Sequence, residues 1–287
     1  MSNTQTRYTF HNMWGSFGVD NNLLGQMTAV LKPIEHLYDE IKIYSLFPRT
    51  AIAKIKKTDR VLNVQYSGEP NYLDPTKFDL NFIPLDPSMK PNAKIVPYLF
   101  ATEKKNYLDM RHDFLLKSDS EILNIKTNFC CFISSNNVAL RRQLFNFINS
   151  NIKKVDSYGK MCNTGYVLPH MYWTPEYLEF LRPHKFMLAC ENKIMDWYCT
   201  EKPMCALGGG TVPIYCGSPR LFNYINRDAV IYIPDCTPES LKAAKQQIIE
   251  LDYNDELYLK KLRTPIFSNP DFDIDYINRV KQLFNVN

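Results

Sequence analysis

Four short apolar runs constrain the fold of the second half of this chain more than any other feature. They lie at residues 129–133 (FCCFI), 186–190 (FMLAC), 212–216 (VPIYC) and 230–233 (VIYI). A strand that is covered on both faces of a parallel sheet has such a continuous apolar sequence. Because segments with helical signals separate the runs, the pattern predicts βαβ units and therefore an α/β fold with a doubly wound sheet.

The first helical signal also places an arginine. Residues 134–137 (SSNN) are good N-cap residues, and they precede a predicted helix whose buried face contains Leu140, Leu144, Phe147 and Ile148. If Leu140 is the centre of that face, Arg142 lies about 200° around the helix from it. Arg142 is therefore predicted to point away from the core, either as a solvated side chain or as a ligand near the helix start.

Two further helices are predicted between the later runs. Pro203 and the apolar residues after it indicate a helix that ends at the glycines 208–210, where a C-cap and a tight turn lead into the next strand. Thr237 followed by Pro238 is typical of a helix start, with a cap residue before a proline at the first helical position.

The first part of the chain is irregular and rich in aromatic residues. One strand is predicted at Val61–Tyr66, where apolar and polar residues alternate, and a turn at Ser67-Gly68 ends it. Prolines follow, so residues 70–97 are expected to be mostly loop with short extended pieces. The two parts of the chain therefore differ in character, and the regular α/β pattern is confined to the second.

Charge and composition exclude some classes of function. The net charge is +4, from 34 basic and 30 acidic residues, and the lysines are spread along the chain, so nucleic acid is not an expected partner. No apolar run approaches the 18 residues that a membrane helix needs, and the first residues do not resemble a signal peptide. The expectation is a soluble, cytoplasmic protein without a transmembrane anchor. Its cysteines, several in apolar runs and none in a CxxC pair, are expected to be buried reduced thiols.

One strand-to-helix junction carries most of the polar residues that suit a ligand. In an open α/β sheet, ligands bind beyond the carboxyl ends of the strands. The run 186–190 is followed by Asn192, Tyr198, Glu201 and Lys202, the last two near a helix start. Lysine and the free N–H groups of a helix start both attract phosphate. Glu201 is either a favourable charge on the helix dipole or a ligand to a sugar or ribose hydroxyl.

At this point the chain shows a specific resemblance. Residues 186–219 (FMLACENKIMDWYCTEKPMCALGGGTVPIYCGSP) resemble the signature of glycosyltransferase family 10, the α-1,3/1,4-fucosyltransferases. SGEP at 67–70, CFISSNN with the element RxxF at 142–145, and VDSYGK at 155–160 are similar to the same family in the same order. The likeness covers roughly residues 60–235. Three departures are Cys190, which replaces an aromatic residue, Trp197, which stands where many members have Asp or Gly, and Pro203, which replaces an apolar residue.

The resemblance implies a GT-B fold, with two Rossmann-like domains facing a central cleft. These are an N-terminal acceptor-binding domain at 1–125 and a C-terminal GDP-fucose-binding domain at 126–287, with the final helix allowed to return to the first. The resemblance also implies an inverting transfer of L-fucose from GDP-fucose to a hydroxyl of an acceptor glycan. It implies that Arg142 and Lys202 hold the diphosphate and that Asn192, Tyr198 and Glu201 line the donor pocket. Glu69, from SGEP, would be the general base. From the residues alone, a glutamate at such a position is more often a solvated turn residue. The linkage is expected to be α-1,3 to GlcNAc or Glc, and the chain to be of bacterial or viral type.

No cofactor is expected, and a divalent cation is expected to be at most stimulatory. Asp271, Asp273 and Asp275 have Asp-x-Asp spacing, but they precede a predicted helix and indicate a solvated helix start. The histidines show no ligand spacing. Two alternatives stay open, namely a GT-B transferase that uses another nucleotide sugar and a non-catalytic glycan-binding relative.

Overall fold

The computed structural model describes residues 6–12, 22–45, 55–97, 104–170, 172 and 174–287. The chain divides into two compact units. The first comprises Met1–Thr102, Met195–Cys199 and Pro270–Asn287, and the second comprises Glu103–Ile194 and Thr200–Asn269. Each unit contains a parallel β-sheet flanked by helices, so the predicted α/β class is confirmed.

Strands and helices alternate along the described chain. The strands are β1 (Arg7–His11), β2 (Glu40–Ser45), β3 (Val61–Tyr66), β4 (Leu80–Ile83), β5 (Ile95–Pro97), β6 (Asn128–Phe132), β7 (Asp156–Ser157), β8 (His184–Cys190), β9 (Val212–Cys216) and β10 (Ile231–Ile233). The helices are α1 (Asn22–Leu31), α2 (Lys104–Leu115), α3 (Asp119–Ile125), α4 (Ala139–Asn151), α5 (Pro175–Leu181), α6 (Lys202–Gly208), α7 (Pro238–Tyr253), α8 (Asp255–Arg263) and α9 (Phe272–Leu283).

The sheet of the first unit follows the chain order, β1-β2-β3-β4-β5, and every pairing in it is parallel. Its core includes Ile41 and Ile43 from β2 and Leu62 and Val64 from β3, all fully buried. The last helix, α9, belongs to this unit and packs on α1 and β5. The hydroxyl of Tyr276 in α9 donates a hydrogen bond to the carbonyl oxygen of Pro97 at 3.2 Å, which fixes the helix to the end of β5.

The sheet of the second unit has the order β10-β9-β8-β6-β7, again with parallel pairings. Counted in chain order within the unit and read from β7, this is 2-1-3-4-5, a doubly wound order. The chain first moves from β6 to β7 on one side and then crosses to β8 on the other. The order therefore reverses between β6 and β8, and ligands of such sheets bind outside the carboxyl ends of the strands at that point.

The predicted elements of the second half correspond to observed ones. The four apolar runs form β6, β8, β9 and β10, and the last two predicted helices are α6 and α7. Gly209 is the C-cap of α6 and Gly210 has a φ of 70°, as the predicted tight turn requires. All eight cysteines are free thiols, and the five in or beside the apolar runs are buried. In the first half, β3 has the predicted bounds, whereas β1, β2 and α1 were not predicted.

Two predictions about the start of α4 were wrong. The N-cap is Val138, whose apolar side chain cannot make a capping bond. The side chains of Ser134 and Asn137 accept hydrogen bonds from arginines of the helix instead of capping it. The buried face is formed by Arg141, Leu144, Phe145 and Ile148, while Leu140 and Phe147 are only partly buried. The centre of the buried face is thus shifted along the helix from Leu140 toward Arg141 and Phe145.

The predicted domain division placed residues 1–125 in the first domain. In the structure the second unit begins at Glu103, so α2 and α3 belong to it. A buried arginine ties α2 into this unit, because Arg111 donates hydrogen bonds to the carbonyl oxygens of Leu207 (3.1 Å) and Thr264 (2.9 Å) and also contacts that of Leu262. Among the described residues, no helix combines the length and apolar character that crossing a membrane requires.

A histidine opens the central strand of the second sheet. His184 is 1% exposed. Its Nδ1 lies 3.3 Å from the carbonyl oxygen of Leu181, so Nδ1 carries the proton, and its Nε2 lies 3.4 Å from the side-chain nitrogen of Asn128. The rings of Tyr158 and Phe180 pack against it. Burial lowers the pKa of His184 below its ordinary value.

Candidate functional site

The candidate site lies at the carboxyl ends of β6 and β8, where the strand order reverses. The segment after β6 leads into α4, and the segment after β8 leads into α6. The segment after β8 carries charged side chains, and the first turn of α4 carries Arg141 and Arg142. This is the edge at which doubly wound sheets bind their ligands.

Glu191 anchors the segment after β8. It is the first residue beyond the strand and is fully buried. One carboxylate oxygen accepts a hydrogen bond from the backbone nitrogen of Thr200 and the other from the hydroxyl of Thr200, both at 2.7 Å. The backbone nitrogen of Glu191 donates to the carbonyl oxygen of Cys216 in β9 at 2.9 Å. Residues 192–199 thus form a loop that is closed at its base by a buried, charge-assisted contact.

Lys202 is held as a cation at the start of α6. Its Nζ lies 2.7 Å from the hydroxyl of Thr200, 3.3 Å from Oε2 of Glu191 and 3.3 Å from Oε1 of Glu201. Burial lowers the pKa of Lys202, but the carboxylates of Glu191 and Glu201 outweigh this effect, and the net result is a raised pKa. The side chain is 21% exposed, and its three contacts fix the position of the charge.

Arg141 provides a second cation, and the sequence analysis missed it. It is 3% exposed, and its Nε donates a hydrogen bond to the carbonyl oxygen of Cys190 at 3.0 Å. Its Nη1 donates to the hydroxyl of Ser134 at 3.0 Å. The positive charge of Arg141 acts on Lys202 and opposes its protonation, so the two cations share one electrostatic environment.

The loop that contains Gly159 supports this arginine. A Cβ atom added to Gly159 would lie 2.1 Å from the carbonyl oxygen of Ser134 and 2.3 Å from its nitrogen, far inside van der Waals contact. The same carbonyl oxygen accepts a hydrogen bond from the backbone nitrogen of Met161 at 2.9 Å. The VDSYGK segment therefore packs its backbone directly against the residue that binds Arg141.

Arg142 differs from Arg141 in its exposure and in its hydrogen-bond partner. Its side chain is exposed, as predicted, and Nη2 donates a hydrogen bond to Oδ1 of Asn137 at 2.7 Å. Adjacent helix residues differ by about 100° in direction, so the two arginines point to different surroundings. A signal for Arg141 existed in the sequence, because it occupies the position at which the 144/145/148 apolar pattern begins. The diphosphate role of Arg142 stays a prediction.

The other predicted donor residues lie on or beside the closed loop. Asn192 and Glu201 are partly buried, and Tyr198 is 1% exposed. Residues Met195–Cys199 belong to the first unit, so the loop leaves the second unit and returns to it at Thr200. Trp197 has a φ of 62°, the left-handed region that glycine adopts most easily, and its Nε1 lies 3.5 Å from Oδ2 of Asp86.

Glu69 lies in the first unit, two residues after a buried serine. It is partly buried, and its backbone nitrogen donates a hydrogen bond to the hydroxyl of Ser67 at 3.3 Å. The structure therefore brings Glu201 and Lys202 together with Glu191, Thr200 and Arg141 in the second unit. The predicted base, Glu69, belongs to the first unit.

Acidic and histidine residues form no obvious cation site in the described ranges. No group of three or more His, Cys, Asp or Glu residues is placed there to hold a metal ion. Asp271 and Asp275 are exposed at the start of α9.

Comparison with known proteins identifies the second unit. The family model for the C-terminal domain of glycosyltransferase family 10 (fucosyltransferase) matches residues 123–263. A protein of Acanthamoeba polyphaga mimivirus that is named as a fucosyltransferase is 30% identical over 220 residues, which cover 74% of this chain and 35% of that protein. GDP-fucose protein O-fucosyltransferase 3 of Xenopus laevis is 30% identical over 184 residues, covering 61% of this chain and 35% of that protein. The chain thus spans about a third of the length of these curated relatives.

Solved structures have the same fold. A crystal structure of an α1,3-fucosyltransferase superimposes with a TM-score of 0.66 at 18% sequence identity, covering 100% of this chain and 93% of the other. The structure of an α1,3-fucosyltransferase with GDP-fucose gives a TM-score of 0.65 at 19% identity, with coverages of 98% and 91%. The predicted GT-B fold class is thereby confirmed. Residues 123–263 of this chain match the C-terminal domain of glycosyltransferase family 10, the fucosyltransferase family.

Proposed function

We propose that this chain is an inverting fucosyltransferase that moves L-fucose from GDP-fucose to a hydroxyl of an acceptor glycan, forming an α-1,3 linkage to GlcNAc or Glc. The family match supports fucosyl transfer, and structural neighbours include α1,3-fucosyltransferases with GDP-fucose and with GDP. The observation that carries the proposal is the pair of fixed cations, Lys202 and buried Arg141, at the ligand-binding edge of the second sheet.

The two cations suit a leaving diphosphate. When the bond between fucose and the diphosphate breaks, the departing GDP gains negative charge. Side chains that are already fixed stabilise this charge without reorganising solvent. Arg141 brings a planar guanidinium that can bind two phosphate oxygens, and Lys202 brings a point charge. The exposed Arg142 remains a second candidate for the same phosphate contact.

Binding of the diphosphate would change the partners of Lys202. Its ammonium group has three hydrogens, and Thr200, Glu191 and Glu201 all lie within contact distance. Glu191 is fully buried, whereas the side chain of Glu201 is 23% exposed. A phosphate oxygen would therefore replace Glu201, and the released carboxylate could accept hydrogen bonds from donor hydroxyls. This exchange supports the role of Glu201 as a ligand to a sugar or ribose hydroxyl.

Asn192 and Tyr198 complete the proposed donor site. They lie on the loop that the contacts between Glu191 and Thr200 close. A closed loop loses less conformational entropy when it binds a ligand than a free one does. We assign both side chains to the pocket for GDP and fucose.

Glu69 would act as the general base. Its carboxylate takes the proton of the acceptor hydroxyl while the hydroxyl oxygen forms a bond to C1 of fucose and the bond from C1 to the diphosphate oxygen breaks. GDP leaves with the electron pair of that bond, and the configuration at C1 inverts. A positioned base contributes about 10² to 10⁴ in rate. No metal ion is required in this proposal, because the two cations supply the positive charge.

A protein hydroxyl is a second candidate acceptor. The observation that favours it is the similarity to GDP-fucose protein O-fucosyltransferase 3, at 30% identity for Xenopus laevis and 34% over 116 residues for Danio rerio. A serine or threonine hydroxyl would take the place of the sugar hydroxyl, and the donor site and base would be unchanged.

Turnover of GDP-fucose against an acceptor panel tests the proposal. The panel contains GlcNAc, lactose-type glycans and serine- or threonine-containing peptides, and NMR identifies the linkage formed. Transfer to a sugar supports the glycan acceptor, and transfer to a peptide supports the second candidate. Calorimetric titration with GDP-fucose, GDP-mannose and a UDP-sugar tests the donor. Equal affinity for all three donors would instead support a transferase with another nucleotide sugar.

A further inference from the structure

The loop that follows Glu69 is held rigidly by two buried polar side chains. Gln65 is fully buried, and its Oε1 accepts a hydrogen bond from the backbone nitrogen of Leu73 at 2.6 Å. Its Nε2 lies 3.3 Å from the carbonyl oxygen of Leu73 and 2.7 Å from Oδ1 of buried Asn81. The side-chain nitrogen of Asn81 in turn donates to the carbonyl oxygen of Pro75 at 3.0 Å. The end of the loop is thereby fixed to strands β3 and β4.

Ser67 fixes the beginning of the loop in the same way. It is 2% exposed, and its hydroxyl lies 3.1 Å from the carbonyl oxygen of Glu69 and 2.6 Å from that of Asn71. Because the carbonyl oxygens of Glu69 and Asn71 both lie close to the hydroxyl of Ser67, the chain must fold back on itself over these residues. The loop is thus a compact turn.

Between these two anchors the loop exposes two large apolar side chains. Tyr72 is 36% exposed and Leu73 is 39% exposed. Single exposed apolar residues are common on protein surfaces, but two adjacent ones on a fixed turn form a small apolar surface. The exposed stretch Asn71–Leu73 carries no charge. Since Tyr72 is three residues from Glu69, their Cα atoms lie within about 10 Å of each other.

This surface has the character of a sugar-binding platform. A pyranose ring has an apolar face of C–H groups and a polar rim, and tyrosine offers an apolar ring face with a hydroxyl at its edge. A general base needs the acceptor hydroxyl within hydrogen-bond distance, and one hydrogen bond alone does not orient a sugar. A platform that is already rigid in the free protein binds without the entropic cost of ordering a loop.

We propose that Tyr72 and Leu73 form the acceptor subsite, with Tyr72 stacked on the C–H face of the neutral pyranose whose hydroxyl Glu69 deprotonates. This inference rests on the proposed function and assigns a residue that determines its acceptor specificity.

The experiment compares Tyr72→Ala, Leu73→Ala and Tyr72→Phe with the wild type. We expect Tyr72→Ala to raise the acceptor KM roughly tenfold, whereas kcat and the affinity for GDP-fucose change little. Tyr72→Phe keeps the ring and should restore most of the acceptor affinity. Two exposed positions of the second unit provide matched controls, Tyr253→Ala (80% exposed) and Leu116→Ala (71% exposed), and both should leave the acceptor KM unchanged.

A second measurement detects binding of the acceptor sugar without requiring turnover. Saturation-transfer NMR with N-acetylglucosamine should show contact with the sugar C–H protons in the wild type and a loss of that contact in Tyr72→Ala. An unchanged acceptor KM in Tyr72→Ala, the absence of a sugar signal in the wild type, or transfer only to peptides would each overturn the subsite. If the wild type did not bind GDP-fucose, the proposed function would be overturned. The NMR signal of the sugar would still show whether Tyr72 binds it.

Discussion

Arg141 donates a hydrogen bond from Nε to the backbone carbonyl oxygen of Cys190 across 3.0 Å, which joins the first turn of α4 to the last residue of β8. Because β6 leads into α4, this bond spans the point at which the strand order of the second sheet reverses. A guanidinium held on two sides presents its charge in a fixed direction. We therefore assign the principal phosphate contact to Arg141 and test it against Arg142.

Replacing Arg141 should weaken binding of GDP more than replacing Arg142. We expect Arg141→Ala to raise the Kd for GDP by about 10- to 100-fold, because a charge-assisted hydrogen bond contributes about 1.5–3 kcal/mol. Arg142→Ala, at an exposed position where salt screens the charge, should change the Kd by less than about threefold. Calorimetric titration measures both. The opposite ranking would return the contact to Arg142.

Removal of Glu191 should destabilise the second unit far more than removal of Glu201. Glu191→Ala leaves a largely buried lysine and the Thr200 donors without their acceptor, so we expect a loss of about 3 kcal/mol in the free energy of unfolding. Glu201→Ala breaks a partly exposed ion pair and should cost less than about 1 kcal/mol. Urea titration gives both values. Equal losses would mean that Glu191 does not anchor the loop.

His184 should make stability depend on pH below neutrality. Its pKa in the folded state is lowered by burial, so the neutral form is favoured on folding. The stabilisation is present above the unfolded pKa of about 6.5 and is lost as pH falls through the folded pKa. Protonation would place an Nε2 hydrogen against the side-chain nitrogen of Asn128. Melting temperatures between pH 7.5 and 5 should fall less steeply for His184→Gln than for the wild type. The exposed control His170→Gln should follow the wild type, and parallel curves for all three would contradict this role.

Glu69→Gln should separate chemistry from donor binding. The amide cannot accept the proton of the acceptor hydroxyl, so kcat should fall by about 10² to 10⁴. Binding of GDP-fucose, measured by calorimetry, should match the wild type, because the two cations assigned to the diphosphate, Arg141 and Lys202, belong to the second unit and Glu69 to the first. A variant with normal turnover would remove Glu69 from the role of base.

Chelation should have little effect on transfer. In the proposed mechanism, Arg141 and Lys202 provide the positive charge for the leaving diphosphate, as a metal ion would. We therefore expect the rate in EDTA to stay within about threefold of the rate with Mg²⁺ or Mn²⁺. Loss of activity in EDTA and its recovery with Mn²⁺ would show that a metal ion is required.

The second half of the chain could be predicted because its strands are continuous apolar runs. Val212–Cys216, for example, forms β9 over the residues of the run. The strands of the first half were harder to predict, although one of them has a recognisable strand pattern. In β2, Ile41 and Ile43 are buried and alternate with polar residues, which is a strand pattern that the sequence analysis did not use. The edge strand β1 has only partly buried or exposed residues, so its composition gives no such pattern.

The sequence predicted the part of the chain in which the candidate site lies, but it did not predict the contacts between the side chains there. The position of Lys202 beside Glu201 follows from the chain order alone. The function of Glu191 depends on Thr200 folding back to it across the loop, which no local pattern reveals. Arg141 was missed because helix positions were assigned from apolar residues, and a buried arginine in an apolar face violates that assumption.

The backbone contact between Gly159 and Ser134 limits which mutations the donor side can tolerate. In a saturation library at position 159, even alanine would force the backbone at Ser134 to move, and the guanidinium of Arg141 would move with it. Selection of such a library for fucosyl transfer should therefore recover glycine almost alone, although the position bears no side chain and touches no reactant. A glycine without a side chain thereby determines where the charge of Arg141 lies.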